Sequence, residues 1–389
     1  MFNFSTEERD RRWKKVRDAM EERGFECLIL WGIFGRHGTL TVNLRYLSNV
    51  LTEGFLIFPL KGEPTFFRFW AGHEPTSWVG DNRIGHPGYS QAMSDRIKEL
   101  HLENTSFGIG DLSGYCGELG FPHTTYVALS NNFPGATFED ATGILESARM
   151  IKSDEEIRGF ELACEIGDKV IQAIADTAKA GVKDSEVRLT IMNTLFRNGC
   201  EPNSMLLYCS GKKLTHAGQG GWLTPAGEKT LEDGDVILAE FDAKLAGCFA
   251  QYNQPYSIGK PDSEWQQIFD IALESFNNGM NVLKPGITAG DLDEAFISPI
   301  KKTGCKHSAC AFHGLGLSGL EEPIGSFPVQ PSYKPSLSAW IEKGMIIEFE
   351  PHVITPEGKK GIHIGCPVLV TENGCRMLTK TWKPEFIVI

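Results

Sequence analysis

Four carboxylates stand in pairs in two short apolar segments of the chain, Leu-Ala-Glu-Phe-Asp and Ile-Glu-Phe-Glu. Side chains of a β-strand alternate between its two faces, so Glu240 shares a face with Asp242, and Glu348 shares one with Glu350. Crowded carboxylates repel one another, and at least one should have a raised pKa and act as a general acid. We therefore predict that these residues form the acidic floor of a functional site.

Length and composition limit what such a site can serve. The chain has 389 residues, of which 41% are hydrophobic and 23% charged, which is enough for two globular domains. A net charge of -12 opposes binding to phosphate backbones or anionic lipid, and no apolar run is long enough to span a bilayer. We therefore expect no nucleic-acid partner and no membrane partner.

The cysteines and the N-terminus bear on the compartment. The ten cysteines contain no CxxC pair and no regular framework, and the first residues contain no apolar core of a signal peptide. These features predict a reducing, cytoplasmic environment.

Residues 1–148 predict a small α/β domain. Apolar residues at helical spacing predict a helix over 6–23 that ends at Gly24, followed by a buried strand at 27–31. Further predicted strands lie at 55–58, 65–70 and 107–110, with a helix at about 92–102.

Residues 149–389 predict a second domain of mixed α and β structure. Ser153 and Glu156 form a capping box that opens a long helix to about residue 180. Further helices are predicted at 184–198, 263–283 and 289–303, and strands at 205–208, 235–241, 344–350 and 365–370.

Several motifs, in their order and spacing, resemble one enzyme family. They are Arg149-Met-Ile-Lys152, Ser210-Gly211 with His216, Gly247 with Gly259, Lys284-Pro-Gly286, His313-Gly-Leu-Gly316 with Glu321-Glu-Pro323, and Glu350-Pro351. Residues 149–375 are in this way similar to the pita-bread domain of creatinase, prolidase, aminopeptidase P and methionine aminopeptidase. Asn43-Leu-Arg-Tyr-Leu47 resembles the start of the smaller N-terminal domain in the creatinase and prolidase branches. The resemblance implies that two-domain fold for nearly the whole chain.

The resemblance also implies a ligand set, and this chain departs from it. Metallopeptidases of the family hold two divalent ions with Asp, Asp, His, Glu and Glu. The matching positions here are Glu240, Gln251, His313, Glu350 and Gly365. A neutral amide and a glycine stand at two of these five positions, so a two-ion site should not form. The family's second histidine is matched by Leu320, which removes a group that polarises the scissile carbonyl.

Creatinase has the same fold without a metal, and the resemblance assigns its catalytic histidine to His216 and one substrate-binding carboxylate to Glu350. We therefore expect a hydrolase without metal or cofactor that cleaves a C–N bond, amide or amidine, of a small cationic metabolite. In this scheme His216 removes a proton from water or from a substrate N–H group, and Glu350 with Glu240 or Asp242 orients the substrate. His313 donates to a developing oxyanion or to the leaving group.

An acidic floor with aromatic walls would suit such a cation. Aromatic residues at family site positions are Trp222, Phe249, Tyr252, Tyr256, Phe312 and Phe349. The residues expected to bind substrate are Tyr252, Gln251, Trp222, Phe312, His363 and Glu348. By resemblance we also expect a homodimer in which the N-terminal domain of one subunit completes the pocket of the other.

Three other functions remain open from the sequence. One is a lyase that eliminates a leaving group from a sulfonium or ammonium substrate. Another is an atypical metal-dependent Xaa-Pro-type peptidase with one ion on Glu240, Asp242, His313, Glu350 and His363. The last is a non-catalytic binding module, against which the retained histidines and Glu350 argue.

Overall fold

The computed structural model describes residues 2–33, 42–69, 76–112, 120–202, 204, 206–214, 229–326 and 336–389. The chain forms two compact units, Asn3–Arg149 and Met150–Ile389, which are described separately below. Among the described residues no helix is long and apolar enough to cross a membrane.

The first unit contains one six-stranded sheet with the strand order β4-β3-β2-β1-β5-β6. The strands are β1 (Cys27–Gly32), β2 (Gly54–Pro59), β3 (Thr65–Arg68), β4 (Asp81–Ile84), β5 (Ser106–Ile109) and β6 (Thr137–Asp140). Strand β1 pairs parallel with β5 and antiparallel with β2, so the sheet is mixed. Strands β1 and β2 are almost fully buried, which agrees with their continuous apolar sequences.

Five helices accompany this sheet: α1 (Thr6–Arg23), α2 (Val42–Ser48), α3 (Tyr89–Glu99), α4 (His123–Asn132) and α5 (Thr142–Met150). The predicted helix over 6–23 is confirmed. The Ser5 side chain accepts a hydrogen bond from the backbone N–H of Glu8 at its start, and Gly24 ends it with a φ of 74°.

The second unit begins with helices α6 (Asp154–Thr177) and α7 (Asp184–Arg197), and later contains α8 (Ser263–Val282) and α9 (Ala289–Lys302). The predicted capping box of Ser153 and Glu156 is present at the start of α6. A second one, of Thr288 and Asp291, begins α9.

Its strands form three sheets, ordered β17-β9-β8-β7, β11-β10-β12-β15-β16 and β13-β14. The strands are β7 (Leu206–Gly211), β8 (Val236–Leu245), β9 (Cys248–Ser257), β10 (Phe312–Gly314), β11 (Glu321–Ile324), β12 (Ile346–Phe349), β13 (His352–Ile354), β14 (Gly361–His363), β15 (Cys366–Val370), β16 (Cys375–Met377) and β17 (Ile387–Val388).

The pairing register brings the polar residues of these sheets together. Asp242 on β8 pairs with Gln251 on β9, and His313 on β10 pairs with Glu348 on β12. An isolated bridge between Asn253 and Gly365 joins β9 to the segment that precedes β15. The functional side chains therefore come from several strands that meet inside this unit.

Candidate functional site

Glu350 lies at the centre of a buried group of polar side chains. The Gln251 amide donates hydrogen bonds to Glu350 Oε2 at 2.9 Å and to Glu240 Oε1 at 3.2 Å. Nε2 of His313 lies 3.3 Å from Glu350 Oε1, and Nε2 of His363 lies 3.2 Å from Glu350 Oε2. Nδ1 of His363 is also 3.4 Å from Glu240 Oε2. We call these five residues the acid–imidazole cluster.

The charges in this cluster stabilise one another against the cost of burial. Burial disfavours the imidazolium of His363, but contacts with Glu240 and Glu350 outweigh it and raise its pKa to about 9. Burial also opposes the charge of His313, yet Glu350 raises its pKa. Burial would raise the pKa of Glu350, and the two histidines hold it well below its usual range instead. The cluster is therefore a set of ion pairs shielded from water.

Glu348 lies beside the cluster with a different character. Its side chain is fully buried, and among the described residues neither carboxylate oxygen has a hydrogen-bond partner. Burial, followed by repulsion from Glu350 and Glu240, raises its pKa well above the usual value. Among the carboxylates of the predicted acidic floor, Glu348 is thus one whose surroundings favour the protonated, neutral form.

Gly365 is packed too tightly to carry a side chain on this backbone. A Cβ built on Gly365 would lie 1.9 Å from the carbonyl oxygen of Phe349 and 3.1 Å from Oε1 of Glu348. The position that we match by resemblance to the fifth family ligand is therefore closed, and the carboxylate of Glu348 lies next to it.

Asp242 remains a predicted site residue. It is fully buried, and in the antiparallel register it faces Gln251, so both point to the same side of the sheet. His216 and Trp222, which were predicted as catalytic and binding residues, lie outside the described residues.

Tyr252 packs in the core, which corrects the expectation that it binds substrate. Its hydroxyl donates to the carbonyl oxygen of Cys164 on α6 at 2.9 Å, and its ring stacks on Phe241. Because Tyr252 follows Gln251 directly in β9, the two side chains point to opposite faces of the strand.

Phe312 requires the same correction. Its ring is fully buried and stacks against Phe296 of α9 with centroids 5.8 Å apart. It precedes His313 in β10 and therefore faces away from the cluster. Its position is explained by helix–sheet packing.

Sequence reasoning missed His352 and Cys310. The ring of His352 lies 3.5 Å from that of His363, centroid to centroid, and its Nδ1 is 3.2 Å from Ser308 Oγ. The thiol of Cys310 donates to Glu350 Oε1 at 3.5 Å. The signal for His352 was available, because it stands two residues after Glu350 as Glu348 stands two residues before it.

The two-ion arrangement of the resembled family does not fit these residues. The amide of Gln251 directs its N–H donors at Glu240 and Glu350, where a cation would need acceptor atoms. Gly365 offers no ligand atom. One ion fits better, because Glu350, His352 and His363 are buried and each offers a ligand atom within 4.8 Å of the other two.

Comparison with known proteins agrees with the fold and the domain order. A family model described as "Metallopeptidase family M24" matches residues 158–372, and one described as "Creatinase/Prolidase N-terminal domain" matches residues 12–151. A relative named Xaa-Pro dipeptidase, from Pyrococcus furiosus, is 29% identical over 270 residues, which are 68% of this chain and 74% of that protein.

Two solved structures show the same fold. The prolidase from Pyrococcus horikoshii OT3 superposes with a TM-score of 0.76 at 24% identity, covering 95% of this chain and 98% of that one. The Xaa-Pro dipeptidase from Bacillus anthracis has a TM-score of 0.79 at 24% identity, covering 98% and 100%.

These findings contradict the expected function. A metal-independent, creatinase-like hydrolase that is not a peptidase was wrong, because the matching family is one of metallopeptidases and the relatives are named Xaa-Pro dipeptidases. The expectation rested on counting lost ligands at the five family positions. It left out His352, which does not stand at any of them.

Proposed function

The chain belongs to metallopeptidase family M24, and from this premise we propose that it is an atypical metal-dependent hydrolase of Xaa-Pro-type peptide bonds. The observation that carries the proposal is the buried trio of Glu350, His352 and His363, which can hold one divalent ion inside the domain that the family model matches. Such an ion would supply Lewis-acid polarisation of a peptide carbonyl.

Glu350 is the residue on which the site depends. It lies between His313 and His363, and the amide of Gln251 donates to one of its oxygens. These three neighbours fix the orientation of the Glu350 carboxylate. A group that takes part in a reaction must be oriented in this way. Substitution of Glu350 should therefore remove activity even where the fold survives.

His313 is held in one orientation. Its Nδ1 lies 3.0 Å from the carbonyl oxygen of Gly314, which can only accept a hydrogen bond, so Nδ1 carries a proton. Nε2 then faces Glu350 and the interior of the site. We assign His313 the role of hydrogen bonding to the polarised carbonyl of the substrate.

Charge favours a substrate with a free amino group. Glu240 and Glu350 are buried together, and the neutral amide of Gln251 is shared between them. When an ion takes the place of the proton on His363, Glu240 loses that cationic partner, and the α-ammonium group of a short peptide can pair with the Glu240 carboxylate instead. A dipeptide with an unblocked N-terminus fits this requirement.

The test is release of proline from unblocked Xaa-Pro dipeptides. Protein freed of metal with a chelator is reloaded with Zn²⁺, Co²⁺ or Mn²⁺ and incubated with Ala-Pro, Phe-Pro, Met-Pro and Lys-Pro, and free proline is measured by mass spectrometry. We expect release only after reloading, and a loss of about 100-fold or more in His313→Ala.

The matched control is His307→Ala, since His307 lies in the same part of the chain and makes its contact with the Ala309 carbonyl outside the cluster. This variant should release proline at the wild-type rate. The proposal would be overturned if the protein is shown to contain the ion and none of the metal-loaded preparations releases proline.

A further inference from the structure

We infer that the protein binds a single transition-metal ion through Glu350, His352 and His363, a ligand set that replaces the two-ion set of its family. This deepens the proposed function, which needs an ion, but it stands on geometry that does not depend on which bond is cleaved. The three ligand atoms lie within 4.8 Å of one another, and all three residues are buried.

The two histidines are placed by one small piece of sheet. Strands β13 and β14 pair antiparallel, and His352 stands directly opposite His363 in their register. Directly opposed residues of an antiparallel pair point to the same face. Their rings are 3.5 Å apart with planes inclined at 59°, so they converge without stacking flat on each other. Glu350, just before β13, completes the trio.

Each of the three ligands has a polar partner that orients it. Ser308 Oγ is 3.2 Å from Nδ1 of His352 and orients that ring. Glu240 is 3.4 Å from Nδ1 of His363, while Nε2 of that ring lies towards Glu350. His313 is 3.3 Å from the other oxygen of Glu350. A carboxylate or hydroxyl behind a histidine is the usual outer shell of a protein metal site.

On strands β8 and β9, the residues at the family's metal-ligand positions make hydrogen bonds to each other or to Glu350. Gln251 on β9 donates from its amide to Glu240 and Glu350. The N–H donors of Gln251 therefore serve the carboxylates where the second cation would be expected. We therefore place a single ion between Glu350 and the two histidine rings of the β13–β14 pair.

The ligand types decide which ions bind. Two imidazoles with one carboxylate suit Zn²⁺, Co²⁺, Ni²⁺ or Fe²⁺, whereas Mg²⁺ and Ca²⁺ prefer sites made wholly of oxygen atoms. We therefore expect selection for the former group.

The experiment measures binding rather than catalysis. Full-length protein is stripped with a chelator, dialysed against Zn²⁺ or Co²⁺, and passed through a desalting column. Elemental mass spectrometry then gives ions per chain, and visible absorption of the Co²⁺ form reports its coordination. We expect one ion per chain, and no ion when Mg²⁺ is offered alone.

The decisive comparison is between His352→Asn and His307→Asn, the same substitution at two neighbouring segments of the same domain. The first should weaken Co²⁺ binding by about 10-fold or more and the second should leave it unchanged. If His352→Asn fails to fold by circular dichroism, Ser308→Ala replaces it, with an expected loss of about 10-fold.

Two ions per chain, no ion in the wild type, or an unchanged affinity in a folded His352→Asn variant would each overturn the inference. Failure of the proposed function gives a different result, namely one ion lost on substitution of His352 together with no release of proline. Proline release that survives in His352→Asn would leave the proposed function standing and exclude this ligand set.

Discussion

Two glutamates show two ways in which this chain buries a carboxylate. Glu8 in the first unit is 3% exposed, and Glu350 in the second is 5% exposed. Glu8 accepts hydrogen bonds from Arg12 Nε and Arg11 Nη2, each at 2.7 Å. The guanidinium of Arg12 in turn lies over the rings of Phe4, Tyr46 and Trp78, at 4.2, 4.6 and 5.2 Å from their centroids. Glu350 faces histidines instead.

The difference lies in the partners. An arginine keeps its proton at any pH the protein meets, so the pairing of Glu8 is permanent and serves stability. Burial would raise the pKa of Glu8, and the hydrogen bond from Arg11 and the charge of Arg12 lower it instead. A histidine can exchange its proton for a metal ion. We therefore interpret Glu350, among histidines, as part of the proposed site, and Glu8, among arginines, as a structural support.

The largest effect should come from breaking the permanent pair. Arg12→Ala leaves the buried Glu8 carboxylate with Arg11 as its remaining guanidinium partner and removes the packing of Arg12 over three aromatic rings, and we expect it to lower the free energy of unfolding by about 3–5 kcal/mol. Urea unfolding measures this. The control is Lys14→Ala, which removes an exposed pair with Asp18 and should change stability by about 0.5 kcal/mol or less. Equal losses in both variants would contradict the contrast.

The second-largest effect on stability should come from adding a side chain at Gly365. Gly365→Ala would set a methyl group against the carbonyl oxygen of Phe349, and we expect a loss of about 1–3 kcal/mol in urea unfolding. Gly374→Ala is the matched control, because a Cβ there meets no atom within 4 Å and its φ is not in the left-handed region. A Gly365→Ala variant as stable as the control would show that the position is open.

The same substitution at two buried glutamates, Glu348 and Glu8, should change stability by different amounts. Burial and the neighbouring carboxylates raise the pKa of Glu348, which favours its neutral form, so Glu348→Gln should change the free energy of unfolding at pH 7 by less than about 1 kcal/mol. Glu8→Gln removes a charge that two arginines use and should cost about 1.5–3 kcal/mol. The urea unfolding midpoints of the two variants measure these losses. A larger loss in Glu348→Gln than in Glu8→Gln would refute the interpretation that Glu8 is charged and Glu348 favours the neutral form.

The smallest effect concerns His307, whose ring contacts the backbone carbonyl of Ala309. Burial lowers the pKa of His307, in contrast to that of His363. The unfolded chain then binds more protons than the folded one, so stability is full above pH 6.5 and is lost as the pH falls below that value. Between pH 7.5 and 5.5 we expect the free energy of unfolding to fall by less than about 1 kcal/mol, as measured by thermal unfolding. The fall should be smaller in His307→Gln. An identical pH profile in the variant would exclude His307 as its source.

The fold class could be predicted from the sequence because its signals are local. The N-terminal creatinase/prolidase domain and C-terminal pita-bread domain are both confirmed by the family models. Helix α1, with Ser5 before it and Gly24 after it, and the capping box of α6 needed no long-range information. These elements depend on residues within one or two turns of each other.

The site could be predicted only in part. The alternation of side chains along a strand places Glu348 on the same face as Glu350. The same alternation turns Tyr252, which follows Gln251, and Phe312, which precedes His313, towards the core. His352 was missed because its partner His363 is distant in sequence and meets it only through the β13–β14 pairing. Such a contact requires the sheet register, which no local pattern contains.

Gly365 has an evolutionary consequence. Its neighbours Phe349 and Glu348 have closed the space that a side chain would need, so no single mutation at residue 365 can restore the family's fifth ligand on this backbone. A side chain at residue 365 would require strand β12 to move away from it and the side chain of Glu348 to be shortened. Residues 348, 349 and 365 are thus linked by epistasis, because the effect of a substitution at residue 365 depends on the residues that stand at the other two positions.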